Sequence, residues 1–436
     1  MSDADQIPGP LGKARHSAWR RNVAPVLRVI YAGLPRFIDV SLSAALILLL
    51  SPVFAARAVQ AKLSCGYLFE REAMLGRHRE SFDRLRFAGP AFGRELPVLM
   101  NIFRGDMSWV GPRPRAVDEG ERAADAEGIV FLQRPGLISV FHLRKNVGIA
   151  YEPEEVVERD QFFGDGIRRN LGVMARFAVS SALGGDSALP VPPTIDFFGV
   201  PVVNTTMDEA LDWLLARAAT PSRTLAAFVN PDCLNIAYRN DDYRAVLQQA
   251  ERVLPDGIGL RIGCNLLGVA MQANVNGTDL FPRICGHAAE AGVPIYFLGA
   301  KPGIAELAAQ KMQERFPTLR VVGTHHGYFT PDEEADVIRR INASGARIVF
   351  VAFGAPRQEL WLARHHSSLA PSVRLGVGAA FDFYSGQIRR APQWMREAGI
   401  EWAYRLYLEP GRMWRRYVVG NPLFLYRVWL QSRESR

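Results

Sequence analysis

Four short runs in the second half of the chain constrain its fold more than any other feature. LAAFV (225–229), PIYFLG (294–299), ARIVFVAFG (346–354) and RLGVGAAF (374–381) are apolar almost without interruption. A strand with one wet face alternates apolar and polar residues. A run this continuous suits a strand covered on both faces, as in a parallel sheet flanked by helices. The segments between them carry the 3.6-residue period of amphipathic helices. Ile304, Leu307, Ala308 and Met312 share one helical face, and Thr330, Pro331 and Glu333 form a capping box with proline in the first turn. Strand–helix alternation of this kind predicts a Rossmann-like α/β domain, whose ligands sit beyond the carboxyl ends of the strands.

The loops after the strands are therefore the candidate site. They read VNPDCLN (229–235), LPDG (254–257), NGTDLFP (276–282), LGAKPG (298–303), HHGYF (325–329), FGAPRQELW (353–361) and FDFYSGQIRRAP (381–392). Taken singly, each has a local explanation. Asp256 in Pro-Asp-Gly suits a turn; Gly299 and Gly303 shape a strand-to-helix connection; Gln358 and Glu359 open a helix; Arg389 and Arg390 make a basic pair. His325 and His326 lack a third ligand at metal spacing, so no metal site is expected there.

With 436 residues the chain is long enough for two domains. A content of 48% hydrophobic and 22% charged residues excludes both a disordered chain and a multi-span membrane protein. The net charge of +8 favours an anionic partner, either a phospholipid surface or a phosphorylated substrate. No basic module interleaved with aromatics is present, so nucleic acid is not expected. Cys65, Cys233, Cys264 and Cys285 are scattered without metal spacing and read as thiols in a reducing compartment.

The stretch GGDSALPVPPT (184–194) has linker composition and divides a domain at 34–184 from one at 195–436, with 185–194 as the linker. Residues 1–33 are a basic N-terminal segment without the pattern of a cleavable signal peptide. Residues 40–56 then carry no charge. As a straight helix they reach about 25 Å, short of the roughly 30 Å hydrocarbon core, and Pro52 interrupts them. Two readings stand: a buried core helix, or a re-entrant or interfacial anchor over about 37–58. The basic prelude suits the second.

In their order, the second-domain loops resemble the WecG/TagA/CpsF family of glycosyltransferases over about residues 195–436. PDG, NGTDL, LGxxPG, GYF, GxPxQE, FDxxSG, RRAP and GIEWAYRLYLEPGR all recur. The resemblance implies transfer of an N-acetylmannosamine-type sugar, its uronic acid or a relative. The donor would be a UDP-sugar and the acceptor polyprenyl-diphosphate-linked. It further implies inversion, no cofactor and no active-site metal, work at the cytoplasmic face of the bacterial inner membrane in exopolysaccharide or other cell-surface polysaccharide synthesis, and possible self-association. Carried over by position, Asp256 is the general base that takes the acceptor hydroxyl's proton. Asn230, Thr278 and Asp279 are donor- or acceptor-binding residues. The backbone N–H groups of the turn from Gly354 to Gln358 face the diphosphate together with Arg389, Arg390, Arg405 and Arg412, and Gln358 and Glu359 face the nucleoside. Phe228 and Asn274 depart from the family, standing where some members have threonine and arginine. The aromatic and arginine-rich tail from 393 to 436 reads as a helical appendage, either packed on the domain or seated at a membrane interface.

The first half resembles the bacterial sugar transferases, which move a phospho-sugar onto polyprenyl phosphate. GDMS (105–108) and GPRP (111–114), including Arg113, carry the likeness over roughly 34–184 and imply a small α+β membrane-associated domain. The family's nucleophilic aspartate falls at Arg94, and only its glutamate partner survives, as Glu95. A guanidinium cannot attack phosphorus. A degenerate docking domain is therefore expected. The alternatives are a bifunctional enzyme and a non-enzymatic scaffold of a polysaccharide assembly complex.

Overall fold

The computed structural model describes residues 24–89, 92–118, 130–163, 166–184 and 189–434. Residues 1–23 of the basic segment and 185–188 of the expected linker lie outside the described residues. The chain forms two compact units. One comprises residues up to Leu143 together with Glu152–Ala178; the other comprises Arg144–Tyr151 and Val179–Arg436.

In the first unit a helix over Ala24–Leu49 is followed by a second over Ser51–Cys65. No single helix is long and apolar enough to cross a membrane, but Leu34–Leu49 and Ser51–Cys65 pass together by length and composition, bent by 69°. The bend falls at Leu50 and Ser51, where Pro52 in the second helix's first turn removes a backbone donor. Leu46, Ile47 and Phe54 pack against Val98, Leu99, Ile102 and Met107. Phe37, Leu48, Leu49, Val59 and Leu63 are exposed. Strands β1 (Phe69–Leu75) and β2 (Ser81–Phe87) pair antiparallel. β3 (Ser108–Val110) lies in a separate sheet, and β4 (Arg115–Ala116) adds to the free edge of β1. β5 (Gly136–Ile138) pairs parallel with β3. There Gly111 and Gly136 interlock so closely that a Cβ on Gly136 would lie 2.1 Å from the backbone nitrogen of Gly111. That contact explains a glycine in both GPRP and RPGL.

The second unit opens with a hairpin of β6 (Thr194–Phe197) and β7 (Val200–Val203). Its sheet comprises β8 (Thr224–Val229), β9 (Arg252–Pro255), β10 (Ile295–Gly299), β11 (Val321–His325), β12 (Ile348–Ala352) and β13 (Val373–Gly376). All pairings are parallel, in the order β11-β10-β12-β13-β8-β9. Alternate residues bury on opposite faces: Phe228, Phe297, Phe350 and Leu375 on one, Leu225, Leu298, Val349 and Val351 on the other. Both faces are buried, as the continuous runs require. The phenylalanine face is knit by Phe281, Phe297, Phe350 and Phe381, with ring centroids 4.9 to 5.8 Å apart.

The last run, RLGVGAAF, is strand only to Gly376. Gly378 takes a φ of 55°, and a short helix starts at Ala380. After β10 the buried helical face is Ala305, Ala308, Ala309 and Met312, while Leu307 is 36% exposed. Small residues let that helix lie close to the sheet. The C-terminal end of the expected linker is docked: Asn204 donates to the Pro192 carbonyl at 2.8 Å, and Ala270 N–H to that of Pro190 at 2.8 Å.

Candidate active site

Parallel strands deliver the loops at their ends to one edge of the sheet. Asn230 follows β8, Asp256 follows β9, Gly354 to Glu359 follow β12, and Gly378 follows β13. Asn230 caps the helix Pro231–Ala237, accepting from the N–H groups of Asp232 (3.1 Å) and Cys233 (3.2 Å). Its side chain also hydrogen-bonds Asp256. Asn230 thus orients the candidate base.

Asp256 is half-buried, and its N–H donates to Val229 O at 2.8 Å. Desolvation raises its carboxyl above the ordinary range, opposed by the charge of Arg416, the Asn230 hydrogen bond and the charge of Arg405; Glu401 adds to the rise. A carboxylate held reluctantly ionised is suited to accept a proton. Gly257 N–H donates to Asn274 Oδ1 at 2.7 Å, so Asn274 fixes the Pro-Asp-Gly turn.

Thr278 and Asp279 occupy the first turn of the helix Gly277–Ala291, capped by Asn276 Oδ1 on Asp279 N–H at 2.8 Å. Thr278 is tied by its carbonyl to Tyr384 Oη at 2.7 Å. Asp279 meets Arg390 in a two-pronged pair, with Nη1 at 2.5 Å and Nη2 at 2.9 Å, and Arg390 Nε reaches Glu401 at 3.1 Å. Burial alone would raise the Asp279 carboxyl. The Arg390 contacts, with Asn276 and Arg396, outweigh it and hold the pKa below the ordinary range. Asp279 and Arg390 are therefore engaged with each other, which gives them a positioning role in this state.

Gln358 is buried, and its Oε1 accepts from the N–H groups of Gly354 and Gly378, both at 3.1 Å, lashing the loops after β12 and β13 together. The Gly354 N–H, expected toward phosphate, is engaged there. Glu359 is wholly buried and accepts from Gln358 Nε2 at 2.6 Å; desolvation pushes its carboxyl up to about 7. Arg405 lies over the Phe383 ring at 5.1 Å, Arg412 pairs with Glu409 at 3.1 Å, and Arg389 is exposed. Among the described residues no group of three or more His, Cys, Asp or Glu side chains is placed to hold a metal.

Three residues escaped the sequence reading. Arg416, in the widened π-helical turn Arg415–Gly420, stands 3.7 Å from Asp232 and supplies the largest opposing charge on Asp256. Arg396 lies 3.9 Å from Asp279. Tyr151, from the first half of the sequence, donates to Asn274 O at 2.5 Å and accepts from Asn276 Nδ2 at 3.1 Å. Desolvation and the Asp279 charge keep its phenol well above its ordinary pKa, so it stays a donor.

Two family models match the chain. The Glycosyl transferase WecG/TagA/CpsF family covers residues 195–436, more than half the length. The chain belongs to the WecG/TagA/CpsF glycosyltransferase family. It is thereby a glycosyltransferase of cell-surface polysaccharide synthesis, taking a sugar donor and a glycan acceptor. A second model, Bacterial sugar transferase, matches residues 94–168, so the fusion expected from the motifs is present.

That second match begins at Arg94, whose side chain pairs with Glu70. Glu95 is held by Arg84 Nη2 and Arg86 Nε, each at 2.9 Å. Arg113 pairs with Glu154 at 2.8 Å, and its N–H donates to Glu158 at 2.6 Å. Burial pushes the Glu158 carboxyl up to about 7 against that hydrogen bond, with Glu154 adding and Arg115 and Arg113 opposing. The stretch DQFF falls at 160–163 within the same match, where only the backbone helix is described beyond Asp160.

Proposed function

We propose that the second unit of this glycosyltransferase moves a hexose-type sugar, N-acetylmannosamine, its uronic acid or a relative, from a UDP-sugar to a polyprenyl-diphosphate-linked glycan. The observation that carries the reading is the setting of Asp256. It is a desolvated carboxylate at a strand end, oriented by Asn230, with Arg405 and Arg416 as its opposing charges.

In the proposed step the acceptor hydroxyl gives its proton to Asp256 as its oxygen attacks the anomeric carbon. The bond from that carbon to the diphosphate oxygen breaks on the opposite face, inverting the centre. UDP leaves with the electron pair, and Arg405, Arg412, Arg416 and Arg389 are the cations available to meet its charge. Asp279, Arg390 and Gln358 hold the loops. We expect the reaction to proceed without a metal cofactor.

The first unit, in this reading, is a docking domain at the cytoplasmic face of the bacterial inner membrane that has lost phosphoglycosyl transfer. An exposed apolar surface supports this, Phe37, Leu48, Leu49, Val59 and Leu63 on the bent helix pair; the second unit carries another of its own, Tyr407, Trp414, Val418, Tyr426 and Trp429 on the C-terminal helices. Arg412 and Arg415 are exposed in the same tail, the pairing an anionic lipid surface favours. A lipid-linked acceptor confined to the bilayer is then presented at high local concentration.

The test is transfer from a panel of UDP-sugars to a polyprenyl-diphosphate-sugar acceptor in detergent with chelator. Consumption of one donor with inversion at the anomeric centre supports the proposal. Consumption of none, with and without divalent cation, contradicts it and favours the scaffold.

A further inference from the structure

Residues 144–151 are flanked in sequence on both sides by the first unit, lie outside the matched range 195–436, and yet fold with the second unit. Each of their anchors lands beside a loop of the candidate site. Arg144 Nε pairs with the buried Glu397 at 3.1 Å. Val147 is 2% exposed and packs against Gly399, whose φ is 73° and whose Cβ would crowd Val147 at 3.1 Å. Ile258, 3.5 Å from the same Cβ position, is two residues from Asp256. Gly148, with a φ of 75°, accepts at its carbonyl from Asn274 N–H at 2.8 Å; a Cβ there would sit 2.9 Å from that nitrogen. Tyr151 closes the segment on Asn274 O and Asn276, with Asp279 Oδ2 at 3.5 Å and Arg283 over its ring at 5.1 Å.

Asn274 is the junction. Its backbone N–H and carbonyl are both taken by residues 148 and 151, while its side chain holds Gly257 N–H. From this we infer that residues 144–151 are a strap that sets the Pro-Asp-Gly and Asn-Gly-Thr-Asp loops in register, with Tyr151 as a positioning residue for the transferase reaction. The transferase site is therefore not contained within 195–436. The position of Asp256 depends on a segment supplied by the other half of the chain. The catalytic consequence rests on the reading above of Asp256 as base; the physical tether does not.

The test uses the full chain in detergent, as wild type, Tyr151→Phe and Gly148→Val, read by amide hydrogen exchange and by kcat and KM. Tyr151→Phe keeps the ring under Arg283 and removes only the hydroxyl. Losing one or two hydrogen bonds from a loop should speed its exchange about tenfold at 256–258 and 274–279, leaving the strands β10 and β12 unchanged. In the same variant kcat should fall about tenfold while the donor KM stays within about twofold, since the arginines proposed to meet the donor diphosphate lie outside the loosened loops. Gly148→Val should do both more strongly. Unchanged exchange at 274–279 in both variants overturns the strap; faster exchange with unchanged kcat overturns the positioning role. Should the wild type transfer from no donor, the exchange measurement alone still decides the strap, so its failure stays separate from that of the proposed reaction.

Discussion

The motif-bearing carboxylates of the two units, Glu95 and Asp256, stand in opposite settings of charge. On β1, β2 and the turn that follows them in the first unit, Arg84, Arg86 and Arg94 are matched against Glu70, Glu72 and Glu95, with Glu95 gripped by two guanidinium groups. A carboxylate so paired is structural, and beside it the residue at the expected nucleophile position is a cation. In the second unit Asp256 is desolvated more than its cations compensate, and its carboxyl is raised. Paired charge gives shape; an imperfectly compensated carboxylate in a loop gives a base. This contrast is the ground on which the second unit, and not the first, is proposed to carry the chemistry.

The sharpest way to break it is Asp256→Asn. It keeps the shape and removes the proton acceptor, so sugar transfer should fall about a thousandfold with the thermal midpoint no lower, checked by initial rates and calorimetry. A fall of less than about tenfold would leave the second unit without its base.

Next comes Arg416→Gln, which tests the balance around that base. Arg416 lowers the Asp256 pKa, so its removal raises that pKa further. The acid limb of the rate profile should move to higher pH, with kcat/KM down about tenfold at neutral pH. Movement to lower pH would assign the wrong sign to the interaction.

Glu359→Gln probes a carboxyl that is buried for structure and not for chemistry. Among Gln358, Tyr243 and Cys233 its folded-state value is about 7, above its unfolded value of 4.5. Its contribution to stability is therefore fully present below about pH 4.5 and is lost as pH rises through 7. The glutamine variant should flatten that slope and be the more stable protein at pH 8, by no more than about 3 kcal/mol, as read from denaturant midpoints. The smallest effect expected is that of Thr206→Ala, which removes the hydroxyl that accepts from Glu209 N–H at 3.2 Å. About 1 kcal/mol should be lost, without change in transfer.

How much of this was legible in the sequence depended on distance along the chain. Three of the four apolar runs became strands in place because continuity of apolar residues is a local signal. RLGVGAAF overran because Gly376 and Gly378 look apolar in composition but let the chain turn from strand to helix. Val321–His325 gave no signal: it is an edge strand, half-buried throughout, and carries Gly, Thr and His. Asn230 could be found because it lies at the end of a strand the sequence marks, and Asp256 through the ordered motifs that carry the family resemblance. Arg416 and Tyr151 could not, since a helical tail and a short strap reach the same edge only through the tertiary fold. The pairing of Asp279 with Arg390 was hidden for the same reason; in sequence both look available for substrate.

The most direct measurement is the identity of the nucleotide released when the wild-type chain is offered UDP-sugar with either bare polyprenyl phosphate or a sugar-bearing polyprenyl diphosphate. Transfer of a sugar leaves UDP; transfer of a phospho-sugar leaves UMP. UDP alone, formed only with the sugar-bearing acceptor and absent in Asp256→Asn, is the predicted result. UMP formed on the bare lipid phosphate, and lost in Glu95→Gln, would mean that the first unit is an enzyme after all.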